Sequence, residues 1–123
     1  MNLLLDSHVL LWYADADPRL TRVAIASIQN ATELYFSAAS VWELSLKIHA
    51  GKLPQRNIQG IALHLGCALV AVTPEHAAAI VKLPRLHNDP YDHLLLTQAE
   101  MEGLTLMTHD RILAEYGVPV LLV

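Results

Sequence analysis

Cysteine occurs once, at Cys67, in a chain of 123 residues. That excludes an intramolecular disulfide and favours a reducing, cytoplasmic setting. Basic residues are also few, eight Lys and Arg against twelve Asp and Glu, for a formal charge of −4. A protein that grips nucleic acid chiefly by its phosphates carries a basic field. Any such contact here is therefore local, through Lys47, Lys52, Lys82, Arg85 and Arg111. Long apolar runs are missing: stretches such as Val118–Val123 fall far short of the roughly 20 residues a membrane helix needs. The start, Met1–Asp6, has no basic segment and meets an acid at once, so it does not read as a secretion signal. Also missing are a Gly-rich phosphate loop, a G-x-S-x-G elbow and a dinucleotide fingerprint. Their absence narrows the field to metal-assisted hydrolysis or non-catalytic binding. Apolar residues are plentiful, at 54%. That supports a packed core over disorder, and the length fits one domain over residues 1–123.

Short apolar segments alternate with helical ones. Leu3–Leu5 reads as a strand buried on both faces, followed by a short helix over Ser7–Tyr13. Asp15–Arg19 is a turn, and Thr21 caps a helix to about Asn30. Glu33–Phe36 is a second strand; Ser37 caps a helix over Ala39–Ala50, with Gly51 just past its end. A weaker helix over Ile58–Leu65 precedes a strand at Leu69–Val72. Thr73-Pro74 opens a helix that ends before Pro84, and Asp89-Pro90 opens another that runs to Glu102 and stops at Gly103. Leu104–Thr108 is a strand, Asp110–Tyr116 a helical turn ended by Gly117, and Val118–Val123 a last strand. This alternation predicts an α/β fold with a mainly parallel sheet and helices on both faces.

Four acids, Asp6, Glu43, Asp92 and Asp110, fall where strand gives way to helix or on the first turns of a helix. In a parallel sheet those places converge, because ligand sites lie outside the carboxyl ends of the strands. Four carboxylates gathered there repel one another unless a hard cation joins them. Each acid also has a plainer reading. Asp6 and Asp110 suit helix caps, although Ser7 can cap in place of Asp6. Glu43 precedes Lys47 by four residues, the spacing of a surface ion pair, and Ser40, one turn earlier, is placed to orient its carboxylate. Asp92 is the most diagnostic: with Asp89 as cap, it shares a helix face with Leu95, Leu96 and Ala99. An acid on an apolar face needs a partner. Thr108 is placed to offer its hydroxyl to a metal-bound water or a phosphate.

His8, His87, His93 and His109 lie beside the acids, but no pair has the His-x-x-x-His spacing or the cysteine partner that zinc favours. They read as surface residues or as supports for a ligand. Cys67 reads as a core residue. Trp12 and Trp42 read as core or dimer packing rather than base stacking. An all-oxygen set of carboxylates suits Mg²⁺ or Mn²⁺, ions that activate water for attack on phosphorus.

Leu4–Trp12, Ser40–Leu44, His87–Leu95 and Thr108–Asp110, with the spacing between them, resemble PIN-domain proteins of the VapC toxin type across nearly the whole chain. The resemblance implies a single PIN domain with a three-layer α/β/α architecture and about five strands. It implies a Mg²⁺- or Mn²⁺-dependent endoribonuclease, the toxin of a type II toxin–antitoxin pair, with an antitoxin partner and a homodimeric state. By position, Asp6, Glu43, Asp92 and Asp110 correspond to the family's acidic quartet, and Thr108 to its frequent hydroxyl neighbour. Asp89 remains a cap or a supporting residue. Ser7 stands where such toxins often carry threonine, and His93 where relatives are often basic, which makes the charge there depend on pH. Two other readings stay open. A receiver-like phosphoacceptor domain wants paired acids after the first strand and a late lysine, whereas Ser7 follows Asp6 and no lysine follows Lys82. A catalytically silent PIN-like domain that binds RNA or a partner is separated from the nuclease only by assay.

Overall fold

Leu3, Leu4 and Leu5 are wholly out of water, and the sheet is built outward from the strand that holds them. In the computed structural model, which describes residues 1–123, this strand, β1 (Asn2–Leu5), lies at the centre of a five-stranded sheet. β2 (Glu33–Ser37), β3 (Cys67–Val70), β4 (Thr105–Thr108) and β5 (Val120–Leu122) complete it in the order β3-β2-β1-β4-β5. Every pairing is parallel, with Leu3 beside Leu34 on one side and beside Thr105 on the other.

Side chains alternate across a strand, so β1 feeds two cores. Leu3 and Leu5 join Val9, Leu10, Phe36, Leu44 and Met107 on one face. Leu4 joins Leu95, Leu96, Leu106 and Leu113 on the other. Six α-helices cover these faces: α1 (Ser7–Ala14), α2 (Arg22–Gln29), α3 (Ala38–His49), α4 (Ile58–His64), α5 (Pro74–Ala79) and α6 (Pro90–Glu102). Two 3₁₀ segments, Ile80–Lys82 and Arg111–Tyr116, complete the elements. The expected alternation of strand and helix is therefore observed, as are the caps at Thr21, Ser37, Thr73 and Asp89.

Two strand starts differ from expectation by two residues. β3 begins at Cys67 rather than Leu69, because Gly66 adopts φ 88° and turns the chain from α4 into the sheet with almost no loop. β5 begins at Val120, after Pro119, which has no N–H to give to a ladder; Pro119 serves through its carbonyl, which accepts from Leu106 N at 3.0 Å. Cys67 is buried as expected, and burial pushes its thiol up to about 11. Trp12 is core, but Trp42 is 55% exposed, its ring edge-on to Tyr91 at 5.3 Å between centroids. Helical periodicity alone does not separate these two tryptophans.

The chain winds one way from β1 to β2 and β3 and the other way to β4 and β5, which makes the junction of β1 and β4 the switch point where a crevice opens. The C-terminal ends of β1 and β4, and the helices that follow β1 and β2, surround it. Leu96, fully buried on α6, ties that helix to the sheet. Leu96→Ala is expected to lower unfolding stability by about 2–5 kcal/mol, read as a reduced urea midpoint at an unchanged slope.

A candidate metal and phosphate site at the sheet switch point

Asp6 is the first residue beyond β1, and its N–H still reaches Met107 O at 2.9 Å, so the ladder carries it to the sheet edge. Its carboxylate is held at both oxygens. Oδ1 accepts from Ser7 N at 2.7 Å, and Oδ2 accepts from Thr108 Oγ1 at 2.7 Å. Asp6 itself is thus the cap of α1, not Ser7 as the sequence allowed. One carboxylate closes the helix and spans the β1–β4 junction together. The hydroxyl of Ser7 serves a neighbouring acid instead, donating to Glu43 Oε1 at 2.6 Å.

Glu43 projects from α3, whose start is fixed where Ser37 Oγ accepts from Ala39 N at 3.0 Å and donates to Gln98 Oε1 on α6. The ion pair expected from its spacing also forms, with Lys47 Nζ 3.4 Å from Oε2. Ser40 does not orient Glu43. It is fully buried and its hydroxyl has no partner, because the face of α3 that it occupies turns into the core. Thr108 likewise does not offer its hydroxyl outward; the hydrogen goes to Asp6, and the oxygen accepts from Asp110 N at 3.1 Å.

Asp92 is buried on the face it shares with Leu95, Leu96 and Ala99, as its spacing predicts. Asp89 caps α6, accepting from Tyr91 N at 2.9 Å and Asp92 N at 3.2 Å. Asp92 is held by His87, which takes the supporting role the sequence allowed it. His87 Nε2 lies 3.0 Å from Asp92 Oδ2, and His87 Nδ1 meets the hydroxyl of buried Tyr116. That hydroxyl already accepts from Leu86 N and His87 N. Its one hydrogen is therefore free to go to Nδ1, which makes His87 the Nε2–H tautomer that donates to Asp92. Tyr116 is 24 residues beyond Asp92 in sequence, and no local pattern marks it. His93 also meets Tyr116, with Nε2 3.3 Å from the hydroxyl. It lines a separate cavity with Arg85 and Pro90, away from the acids.

Asp110 caps the last 3₁₀ segment through Ile112 N at 3.1 Å and stays exposed. Together Asp6, Glu43, Asp92 and Asp110, with Asp89, line one cleft of about 510 Å³. His8, Trp12, Arg19, His109 and Arg111 form the rest of its wall. Arg19 is anchored to Asp17 and lies over the Trp12 ring at 4.9 Å.

The electrostatics show what this gathering costs. Burial pushes the Asp6 carboxyl above the usual range, and the charge of Glu43 adds to the rise against the hydrogen bonds from Thr108 and Ser7. Burial pushes Asp92 up to about 7, opposed by the His87 hydrogen bond and reinforced by the charges of Asp6 and Asp89. No three of these side chains form a closed chelate; the acids stand around the cleft walls. Their chemistry nonetheless suits a hard divalent cation: the donors are carboxylate oxygens, and those of Asp6 and Asp92 are largely desolvated.

A raised carboxyl pKa means that the folded state binds the proton more tightly than the unfolded one. Cation-free protein is therefore expected to lose stability as pH rises from the ordinary carboxylate range through about 7, with little slope from this group beyond. Asp92→Asn removes its share of that slope. Thermal unfolding at about pH 5 and about pH 8 checks this, and an equal drop in both proteins would refute the account.

Residues 3–119 match the PIN domain family. Ribonuclease VapC22 of Mycobacterium tuberculosis (strain ATCC 25618 / H37Rv) is 34% identical over 124 residues, covering 96% of this chain and 94% of that protein. Two solved structures share the fold. VapBC2 from Rickettsia felis, bound to a DNA fragment from its promoter, aligns with TM-score 0.72 at 14% identity over 98% of both chains. DNA-bound VapBC from Salmonella typhimurium aligns with TM-score 0.70 at 19% identity over 98% of this chain and 97% of that one. The architecture expected from the alternating segments is the one these structures share, and the chain belongs to the PIN-domain family, of the VapC type.

Proposed function

We propose that this protein is the toxin of a type II toxin–antitoxin pair, an endoribonuclease that hydrolyses RNA phosphodiester bonds with the help of Mg²⁺ or Mn²⁺. One observation carries the reading: five carboxylates line a single cleft at the sheet switch point, in a chain 34% identical to a VapC ribonuclease over 96% of its length. Asp6, Glu43, Asp92 and Asp110 are the residues that would hold the cation. When bound, it supplies an activated water and offsets negative charge on the phosphodiester.

The residues of the chain do the positioning. Ser7 and Thr108 fix the rotation of Asp6, Ser7 also aligns Glu43, and His87 holds Oδ2 of Asp92. Ser7 touches two of the acids through different groups, its backbone N–H at Asp6 and its hydroxyl at Glu43. Arg111 lines the same cleft as the acids and supplies positive charge toward an incoming phosphate, whereas Arg19, also in its wall, is paired with Asp17. Hydrolysis joins a water oxygen to phosphorus and breaks the bond to the leaving 3′ oxygen, which takes up the proton.

A cognate antitoxin, and a second copy of the chain, complete the proposed assembly. VapBC complexes with DNA adopt this fold. No helix is long and apolar enough to cross a membrane, in keeping with the proposed cytoplasmic setting.

Asp6→Asn and Asp92→Asn are each expected to lower Mn²⁺-dependent cleavage of single-stranded RNA by about a hundredfold or more, with circular dichroism unchanged. Wild-type protein that leaves RNA intact with Mn²⁺ would instead favour a silent binding domain. Full activity in both variants would overturn the residue assignment. His87→Ala is expected to weaken Mn²⁺ binding by about 10–100-fold in titration calorimetry, without added RNA.

A further inference from the structure

The acid cleft does not end at Glu43. Glu43 and Asp89 also line a second and larger cavity, of about 780 Å³, so the two share a wall. Its lining differs in character. The last turn of α3 and the turn after it bring Lys47, His49 and Lys52 into the lining, and Asn88 and Tyr91 join them from the start of α6. The only acids in its lining are the two that it shares with the cleft.

What sets this lining apart is its balance: two of the chain's eight Lys and Arg, with His49, face two acids, whereas the cleft has five. Arg19 and Arg56 are occupied by Asp17 and Asp15 through paired hydrogen bonds. Lys47 stands at the junction with the acid cleft, 3.4 Å from Glu43 Oε2, whereas Lys52 is exposed and has no acid within ion-pair distance. A strand of RNA cut at the acids continues past them. Its next phosphates need cationic and hydrogen-bonding groups, and the open groove beside Glu43 offers them.

We infer that the Lys47–His49–Lys52 groove is a subsite for the phosphodiester backbone of single-stranded RNA flanking the scissile bond. The inference rests on the ribonuclease reading, but it concerns where the strand lies rather than how it is cut. It explains how a protein of net charge −4 holds a polyanion: the contact is confined to a short track that begins beside the acids. The hydroxyl of Tyr91 and the amide of Asn88, in the same lining, add donors that do not depend on charge.

The test uses the intact protein, a His49→Ala/Lys52→Glu double variant, and a fluorescein-labelled single-stranded RNA of roughly 12 nucleotides, a length such a groove can cover. Both replaced side chains are exposed and neither lines the acid cleft. The variant is expected to bind RNA about tenfold more weakly and to lose about one unit of the salt slope. In cleavage assays KM is expected to rise with kcat unchanged, and Mn²⁺ affinity to stay at the wild-type value. Unchanged RNA affinity and salt slope would overturn the subsite. So would unchanged RNA affinity with altered self-association in sedimentation, which would make the groove a protein contact. RNA binding that depends on Lys52 in a wild-type protein that cleaves nothing would support the subsite while refuting the nuclease.

Discussion

The cost of taking carboxylates out of water, to which their mutual repulsion adds, is the constraint around which the site is arranged. Asp6 and Asp92 are each about nine-tenths buried, and the charge of Asp6 is among the causes that push Asp92 upward, after burial itself. Such a group is tolerated in a folded protein only if something offsets it. Hydrogen bonds from Ser7, Thr108 and His87 offset part of the cost. They are too few to cancel it, since both carboxyls remain raised. A fold that only needed stability would place apolar residues here, as it does at Leu95 and Leu96 one turn further along α6. Raised carboxyls gathered in one cleft are the kind of perturbation that accompanies functional sites, and they support the proposed cation.

The acids also meet local needs of the backbone, which is how a small domain supports so many of them. Asp6 caps α1, Asp89 caps α6, and Asp110 caps the last 3₁₀ segment. Each satisfies amide donors that a helix start leaves unpaired. Helix starts follow the C-terminal ends of parallel strands, and those ends define the crevice. Cap and site therefore coincide through topology, and choosing between them, residue by residue, poses a false alternative. Glu43 and Asp92 are the exceptions. They lie within helices and cap nothing; Glu43 is held by Ser7 from 36 residues away and by Lys47 one turn on, and Asp92 by His87 five residues earlier.

That distinction also explains what can be read from sequence. Strand and helix order, the capping residues and the burial of Asp92 follow from periodicity and from chemistry within a few residues. The start of β3 falls earlier than periodicity places it because Gly66 removes the expected loop, a matter of one φ angle. The roles of the hydroxyls elude local reasoning for a different cause. Ser40 is a turn away from Glu43 along α3 and has the spacing of a support, but it faces the core, and Ser7, 36 residues distant, takes the role. Thr108 reaches Asp6 across 102 residues. Tyr116 reaches His87 across 29. Bonds of this kind exist only once elements distant in the chain have packed together, so no local pattern encodes them.

The same logic bears on how the cleft is divided. Its acids come from the end of β1, from α3, from α6 with its cap and from the turn after β4, elements joined by the sheet and by the Ser37–Gln98 bond between the start of α3 and α6. The basic groups of the groove come from the far end of α3 and the turn beyond it. One helix thus carries Glu43 into the acid cleft and, a turn later, Lys47 out of it. Opposite charges held apart on a rigid helix cannot collapse onto one another, apart from the single Glu43–Lys47 contact at their border. That placement lets one small domain set a cleft rich in carboxylates beside a groove with fewer of them, the Glu43–Lys47 pair standing at the border.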